Sequence, residues 1–284
     1  MLKGEELSMN NMYKTLSNGV KIPSIGFGTY KLGDYDDTIN SVKNAIKMGY
    51  RQIDTAAFYK NEEAVGLGIK ESKVAREDIF LVTKLWNDNH GYENTMKSFN
   101  DSIKKLGVDY LDLYLVHWPN KLNSETWRAF EDLYKMGKVK AIGVCNFKEG
   151  HIEELKKIAN IMPMVNQIEV HPYRTQKNII SYCKDNNIQV VAWGPIMRGR
   201  IFSDPIMIKL SDKYNKSIPQ ITLRWHLQNG IIPIPKSSNI ERIKSNLDIF
   251  DFEISDEDMN LINKLNKDEH VSGVPENTTY LDFK

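Results

Sequence analysis

The chain has 284 residues, with 38 Lys+Arg against 37 Asp+Glu and a formal net charge of +1. That balance excludes a duplex-coating nucleic-acid binder, which needs a cationic surplus to match phosphates, but leaves room for a local basic patch around one small anion. Hydrophobic residues at 41% and charged residues at 26% are globular proportions that exclude disorder, collagen and coiled coil.

The length suggests two domains at ordinary domain size, yet α/β barrels of about 250 residues fold as one. No Gly/Ser/Pro-rich linker interrupts the chain, so a single domain over residues 1–284 is expected, with residues 1–10 as a flexible tail. Two cysteines, Cys145 and Cys183, cannot build a disulfide framework or a structural zinc site. No apolar run approaches the roughly 18 residues of a membrane helix. The opening MLKGEELSMNNMYK lacks an apolar signal region. A cytoplasmic protein with no membrane partner is expected. No apolar stripe demands a second subunit, so the expectation is a monomer.

In chain order, Asn18-Gly19 between apolar residues marks a β-hairpin over 13–22. Strand 1 is expected at 25–28 and helix 1 at 35–48. Strand 2 follows at 52–54, then helix 2 at 62–71 with Asn61 as its N-cap. Strand 3 spans 79–84, and helix 3 spans 92–106 with Gly107 as its stop. Strand 4 covers 111–116 and helix 4 covers 124–136. Strand 5 is placed at 141–144, helix 5 at 150–160, strand 6 at 165–170 and helix 6 at 176–186. Strand 7 is 190–192, an extra helix 205–214, and helix 7 219–229. Strand 8 at 232–235, helix 8 at 240–246 and a last helix at 256–266 complete the series.

Eight strand–helix units of about 30 residues are βαβ steps. Short, continuously apolar strands are buried on both faces. Strict alternation fits an open doubly wound sheet or a closed barrel, and the count of eight favours a (β/α)8 TIM barrel with an N-terminal hairpin and extra C-terminal helices and loops. Gly26-Phe27-Gly28 is only a fragment of the G-x-G-x-x-G fingerprint, which also favours the barrel.

In such a barrel the chemistry sits at the C-terminal ends of the strands. Here those ends carry Asp54, Lys84, His117, Cys145-Asn146, Gln167 with Glu169 and His171, Trp193, and Lys236. Each has an ordinary explanation alone. Asp54 reads as a turn residue, His117 as a satisfied core histidine, and Tyr59 in the following loop as packing. Lys84 closing an apolar strand either reaches the rim or is buried beside a carboxylate, with Asp54 nearest. Together they form an acid–base device. An ammonium beside Tyr59 is expected to lower its pKa from about 10. Asp54 would hold Lys84, and His117 would orient a carbonyl oxygen. The set contains no activated Ser or Cys nucleophile.

The segments GFGTY (26–30), YRQIDTAAFYKNEEAVG (50–66), LVTKLW (81–86), LYLVHWP (113–119), GVCNF (143–147), VNQIEVHPY (165–173) and IPIPKSSNIERIKSN (232–246) resemble the aldo-keto reductase family, in its order and over nearly the whole chain. Within the family it is similar to bacterial diketogluconate reductase-like and glyoxal reductase-like members. The resemblance implies NADPH-dependent reduction of small aldehydes and ketones, with the family's tetrad on Asp54, Tyr59, Lys84 and His117.

The resemblance further implies that Gly28 and Thr29 belong to the cofactor site, and that Asn146 and Gln167 hold the nicotinamide carboxamide. Cys145 stands where the family usually has Ser, a weaker hydrogen-bonding group. Trp193 stands where Tyr usually stacks on the nicotinamide, and Gly194 replaces a frequent Ser near the pyrophosphate; a subset of bacterial members shares this AWGP. Lys236, Ser237 and Arg242 match the 2′-phosphate site, and Asn246 an adenine contact whose usual acidic or amide neighbour is Ser245 here. Two cations at a strand end and the next turn suit a dianion in any case. Tyr30, Trp86 and Trp118, with His117, match the substrate pocket. Residues 198–214 and 271–284 correspond to variable loops.

Three other classes compete. A strand-end lysine could form a Schiff base in an aldolase, with Lys84 as nucleophile. A chain of this fold could also bind NADPH without turnover. A metal-dependent hydrolase would need more ligands than His117, Glu169 and His171, so no metal is expected.

Overall fold

A computed structural model describes residues 12–271. The tail expected at residues 1–10 and the loop over 272–284 lie outside the described residues. The hairpin pairs β1 (Tyr13–Thr15) with β2 (Lys21–Pro23), turning at Gly19 with φ +87°. Only glycine takes that backbone region without a side-chain penalty.

Eight parallel strands follow in sequence order: β3 (Phe27–Gly28), β4 (Gln52–Asp54), β5 (Phe80–Leu85), β6 (Leu113–Val116), β7 (Ile142–Cys145), β8 (Val165–Glu169), β9 (Gln189–Trp193) and β10 (Ile232–Pro233). Each pairs in parallel with its sequence neighbours, as right-handed βαβ steps require. The seam between last and first strand is drawn together by two backbone bonds. Gly26 N–H donates to the Pro233 carbonyl and Gly28 N–H to the Pro235 carbonyl, both at 3.0 Å. A Cβ on Gly28 would sit 2.9 Å from the Ile234 carbonyl oxygen. Gly28 is therefore small because the barrel closes there, whatever else it touches.

The helices form the outer layer: α1 (Tyr35–Lys47), α2 (Glu62–Ser72), α3 (Tyr92–Leu106), α4 (Asn123–Lys135), α5 (Glu149–Lys156), α6 (Lys177–Asp185), α7 (Pro205–Tyr214), α8 (Ile218–Gln228), α9 (Ile240–Leu247) and α10 (Asp256–Asn263). Local chemistry starts and stops them. Asp34, Asp204, Ser217, Asn239 and Ser255 accept first-turn N–H groups. Gly107 ends α3 at φ +64°. The fifth helix, expected to reach residue 160, ends at Lys156. The backbone N–H groups of Asn160 and Ile161 turn instead to the buried Glu131 carboxylate at 2.6 and 2.8 Å.

One expected cap is corrected. Asn61 precedes α2 but makes no capping bond. Its amide nitrogen donates to the Thr29 carbonyl, and its amide oxygen accepts from Thr55 Oγ1, both at 2.9 Å. Thr29 Oγ1 in turn donates to the Asp54 carbonyl at 3.0 Å. Asn61 thus ties the loop carrying Tyr59 to the ends of β3 and β4. A tertiary partner has taken the side chain that a helix end would otherwise use.

Candidate active site

The upper rim of β4 and β5 carries the centre of the site. Asp54 ends β4, and Lys84 is the fifth residue of the wholly buried run FLVTKL in β5. Lys84 Nζ donates to Asp54 Oδ1 at 2.5 Å, to the Thr55 carbonyl at 2.8 Å and to the Tyr59 hydroxyl at 3.3 Å. All three ammonium hydrogens are thereby used. Burial pulls the Lys84 pKa down, but the carboxylate beside it and the Tyr59 oxygen outweigh that and raise it. Lys84 therefore stays a cation with no free lone pair. That removes the Schiff-base aldolase reading, which needs a neutral, approachable amine.

Tyr59 closes a 3₁₀ turn, Ala57–Tyr59, and is half-buried. The expected fall in its pKa is not what the structure produces. Burial raises it, Lys84 pulls it back and Asp54 raises it again, leaving the hydroxyl pushed up to about 12. Desolvation of the phenolate outweighs the ammonium because that charge is already shared with Asp54. His117 follows β6, and burial, with the Lys84 charge adding, holds its pKa well below the usual 6.5. It is a neutral imidazole whose Nδ1 has no hydrogen-bond partner among the described residues.

Aromatic walls stand around this centre. Tyr30 lies 4.9 Å from Tyr59, and Trp86 lies 5.2 Å from His117, ring centre to ring centre. Phe58, which sequence reasoning passed over, stacks on Trp86 at 3.8 Å and meets both Tyr59 and His117 edge-on. Its signal was only its place beside Tyr59. Trp118 lines a cavity of about 430 Å³ together with Asn146, Lys148, Arg174, Trp193 and His270. Glu169 helps bound that cavity. It accepts from His270 Nδ1 and the Val271 N–H, both at 2.7 Å, and against the effect of burial His171, then Val271 and His270, hold its carboxyl below the usual range.

The residues expected to hold the cofactor fall in two groups. Gln167 Nε2 donates to Asp54 Oδ2 at 2.7 Å, so the Asp54 carboxylate is shared between Lys84 and Gln167. Asn146 and Trp193 bond to each other at the same rim. Gly28 and Thr29 lie at the barrel seam, where both are buried. Cys145, also buried, has its thiol pKa pushed up by burial and stays uncharged.

The second group surrounds the start of α9. Lys236 follows β10 half-buried, and Arg242 lies exposed in the first turn of α9. Burial and the Arg242 charge both lower the Lys236 pKa. Among the described residues neither cation forms an ion pair, and both stand beside a helix N-terminus whose first turn also carries Glu241. The Ser237 hydroxyl bonds to Asn239, and Asn246 is buried in α9. These residues fit a phosphate monoester, and the amide-and-indole rim fits a nicotinamide.

The aldo/keto reductase family profile matches residues 24–267. The chain belongs to the aldo/keto reductase family. It is similar to the glyoxal reductase of Bacillus subtilis (strain 168), at 53% identity over 92% of this chain and 95% of that one. The methylglyoxal reductase of Escherichia coli (strain K12) is 38% identical over 92% of this chain and 96% of its own. The crystal structure of a Bombyx mori aldo-keto reductase in complex with NADP superposes with a TM-score of 0.89 at 38% identity, covering 92% of this chain and 95% of that one. Like other aldo/keto reductases, the protein is an NADP-dependent oxidoreductase acting on small carbonyl compounds. Among the described residues no helix is long and apolar enough to cross a membrane. No group of three or more His, Cys, Asp or Glu among them is placed to hold a metal ion.

Proposed function

We propose that this aldo/keto reductase reduces small aldehydes, of the glyoxal and methylglyoxal class, with Tyr59 as the general acid. NADPH, when bound, supplies the hydride for the carbonyl carbon. Tyr59 donates its proton to the oxygen as negative charge develops there. A hydroxyl pushed up to about 12 is fully protonated near neutrality, as an acid for an alkoxide must be. Lys84 steadies the phenolate left behind, and Asp54 holds Lys84 with its hydrogens aimed at Thr55 and Tyr59. His117, being neutral, offers a hydrogen bond without competing as a proton source. Tyr30, Trp86 and Phe58 wall the carbonyl site with aromatic faces, and Trp118 lines the adjoining cavity. The reverse oxidation uses the same groups.

Lys236, Ser237 and Arg242 support a preference for NADPH over NADH through the 2′-phosphate, with Asn246 on the adenine side and Gly28 and Thr29 at the seam. Two buried free thiols, Cys145 and Cys183, suit a reducing compartment and support a cytoplasmic location.

The observation that carries the reading is the Tyr59 hydroxyl 3.3 Å from the buried Lys84 ammonium, whose charge is paired with Asp54. Tyr59→Phe tests it. Turnover of methylglyoxal with NADPH should fall by roughly 10²–10⁴, the range for losing a general acid, while the NADPH Kd changes little. Wild-type turnover in that variant would remove Tyr59 from the role. Wild-type protein that bound NADPH but turned over no carbonyl in a broad panel would restore the non-catalytic reading.

A further inference from the structure

Trp193 closes β9 and Asn146 follows β7. The Trp193 indole Nε1 donates to Asn146 Oδ1 at 3.0 Å. On its other side, Asn146 Nδ2 donates to the His117 carbonyl at 3.1 Å. An indole N–H can only donate and a carbonyl can only accept, so these two neighbours admit one orientation of the amide. The flipped amide would set N–H against N–H and oxygen against oxygen. The backbone is held as well: Asn146 sits at φ +60° with its N–H on the Gln167 carbonyl at 3.0 Å.

Gln167 is oriented by the same logic. Its Nε2 faces the Asp54 carboxylate, which beside the Lys84 cation can only accept. What remains for a ligand is complementary: a second Nδ2 hydrogen on Asn146 and the Oε1 acceptor of Gln167. A primary carboxamide carries the opposite set, an acceptor oxygen and a donor NH₂.

We infer that Trp193, through its indole N–H on Asn146 Oδ1, is a positioning residue that locks Asn146 as a donor toward the nicotinamide carboxamide. This is separate from stacking on the ring. A phenol or phenyl at this place keeps an aromatic face but has no N–H on that edge. The inference rests on NADPH being the cofactor.

The test is a double-mutant cycle read by calorimetric binding. NADPH and the nicotinamide-free probe 2′,5′-ADP are titrated into wild type, Trp193→Phe, Asn146→Ala and the double variant. Trp193→Phe should weaken NADPH roughly tenfold, as expected for a lost hydrogen bond that also strands an acceptor. Its affinity for 2′,5′-ADP should stay within about twofold of wild type, which also shows that the variant is folded. In the Asn146→Ala background the same change should cost NADPH less than about twofold, because the partner is already gone. An equal loss in both backgrounds would mean stacking alone and would overturn the inference. So would parallel loss of 2′,5′-ADP, which would make the effect global. Wild-type protein that bound neither ligand would overturn the cofactor reading itself and the inference with it.

Discussion

Replacing Lys84 by Met removes the ammonium and keeps the apolar stem. The cation and Asp54 are 0% and 1% exposed and 2.5 Å apart. At an effective dielectric of about 20, unit charges at that separation attract by about 7 kcal/mol. Much of that attraction offsets the cost of taking both ions out of water. Deleting one partner removes the attraction but leaves the cost on the other. Asp54 would keep one side-chain donor, Gln167 Nε2. The expected loss is about 3–5 kcal/mol, the usual result of stranding a buried charge. Adding Asp54→Asn to Lys84→Met neutralises the stranded group and should recover more than about 1 kcal/mol. Urea unfolding followed by circular dichroism measures both values. Turnover should be low in both variants, because each leaves the Tyr59 phenolate without its cation. A Lys84→Met protein within about 1 kcal/mol of wild type, or a double variant no better than the single, would refute the stranded-charge reasoning.

Gly66 in α2 faces the end of α3, where a Cβ would overlap the Leu106 carbonyl; Gly66→Ala should cost about 1–3 kcal/mol by overpacking, read as a lower urea midpoint. His90 and His117 are buried and neutral, with His90 lowered to about 4 by burial and His117 well below 6.5 for the same reason, Lys84 adding to it. The unfolded chain takes up protons on these residues as pH falls below about 6.5 while the folded chain does not. Stability should therefore fall as pH falls from about 6.5 toward 5, by up to about 1.4 kcal/mol per unit for each histidine, and His90→Asn should flatten that slope. Arg242→Ala should weaken NADPH roughly 10–100-fold, the scale of a charged hydrogen bond, and leave NADH nearly unchanged; equal losses for both would take Arg242 out of the 2′-phosphate site.

Much of this protein is written locally. Hydrophobic period and punctuation place eight strands and their helices to within a few residues, because helix caps, glycine stops and short apolar runs act over a handful of positions. The strand-end rule alone gathers Asp54, Lys84 and His117 at one rim, because parallel βα units point every strand the same way. What spans the barrel is not written locally. Asn61 looks like a cap and instead bridges to Thr29. Gly28 looks like part of a cofactor loop and is also the close approach that shuts the barrel. The Gln167 bond to Asp54 joins residues 113 apart in sequence. The direction of the Tyr59 shift is the clearest case. Residue types announce an ammonium, a carboxylate and a phenol, but whether the phenol becomes more or less acidic depends on how much water reaches its oxygen. Here burial outweighs the neighbouring charge, and that balance exists only once the β4 loop has folded down over Lys84.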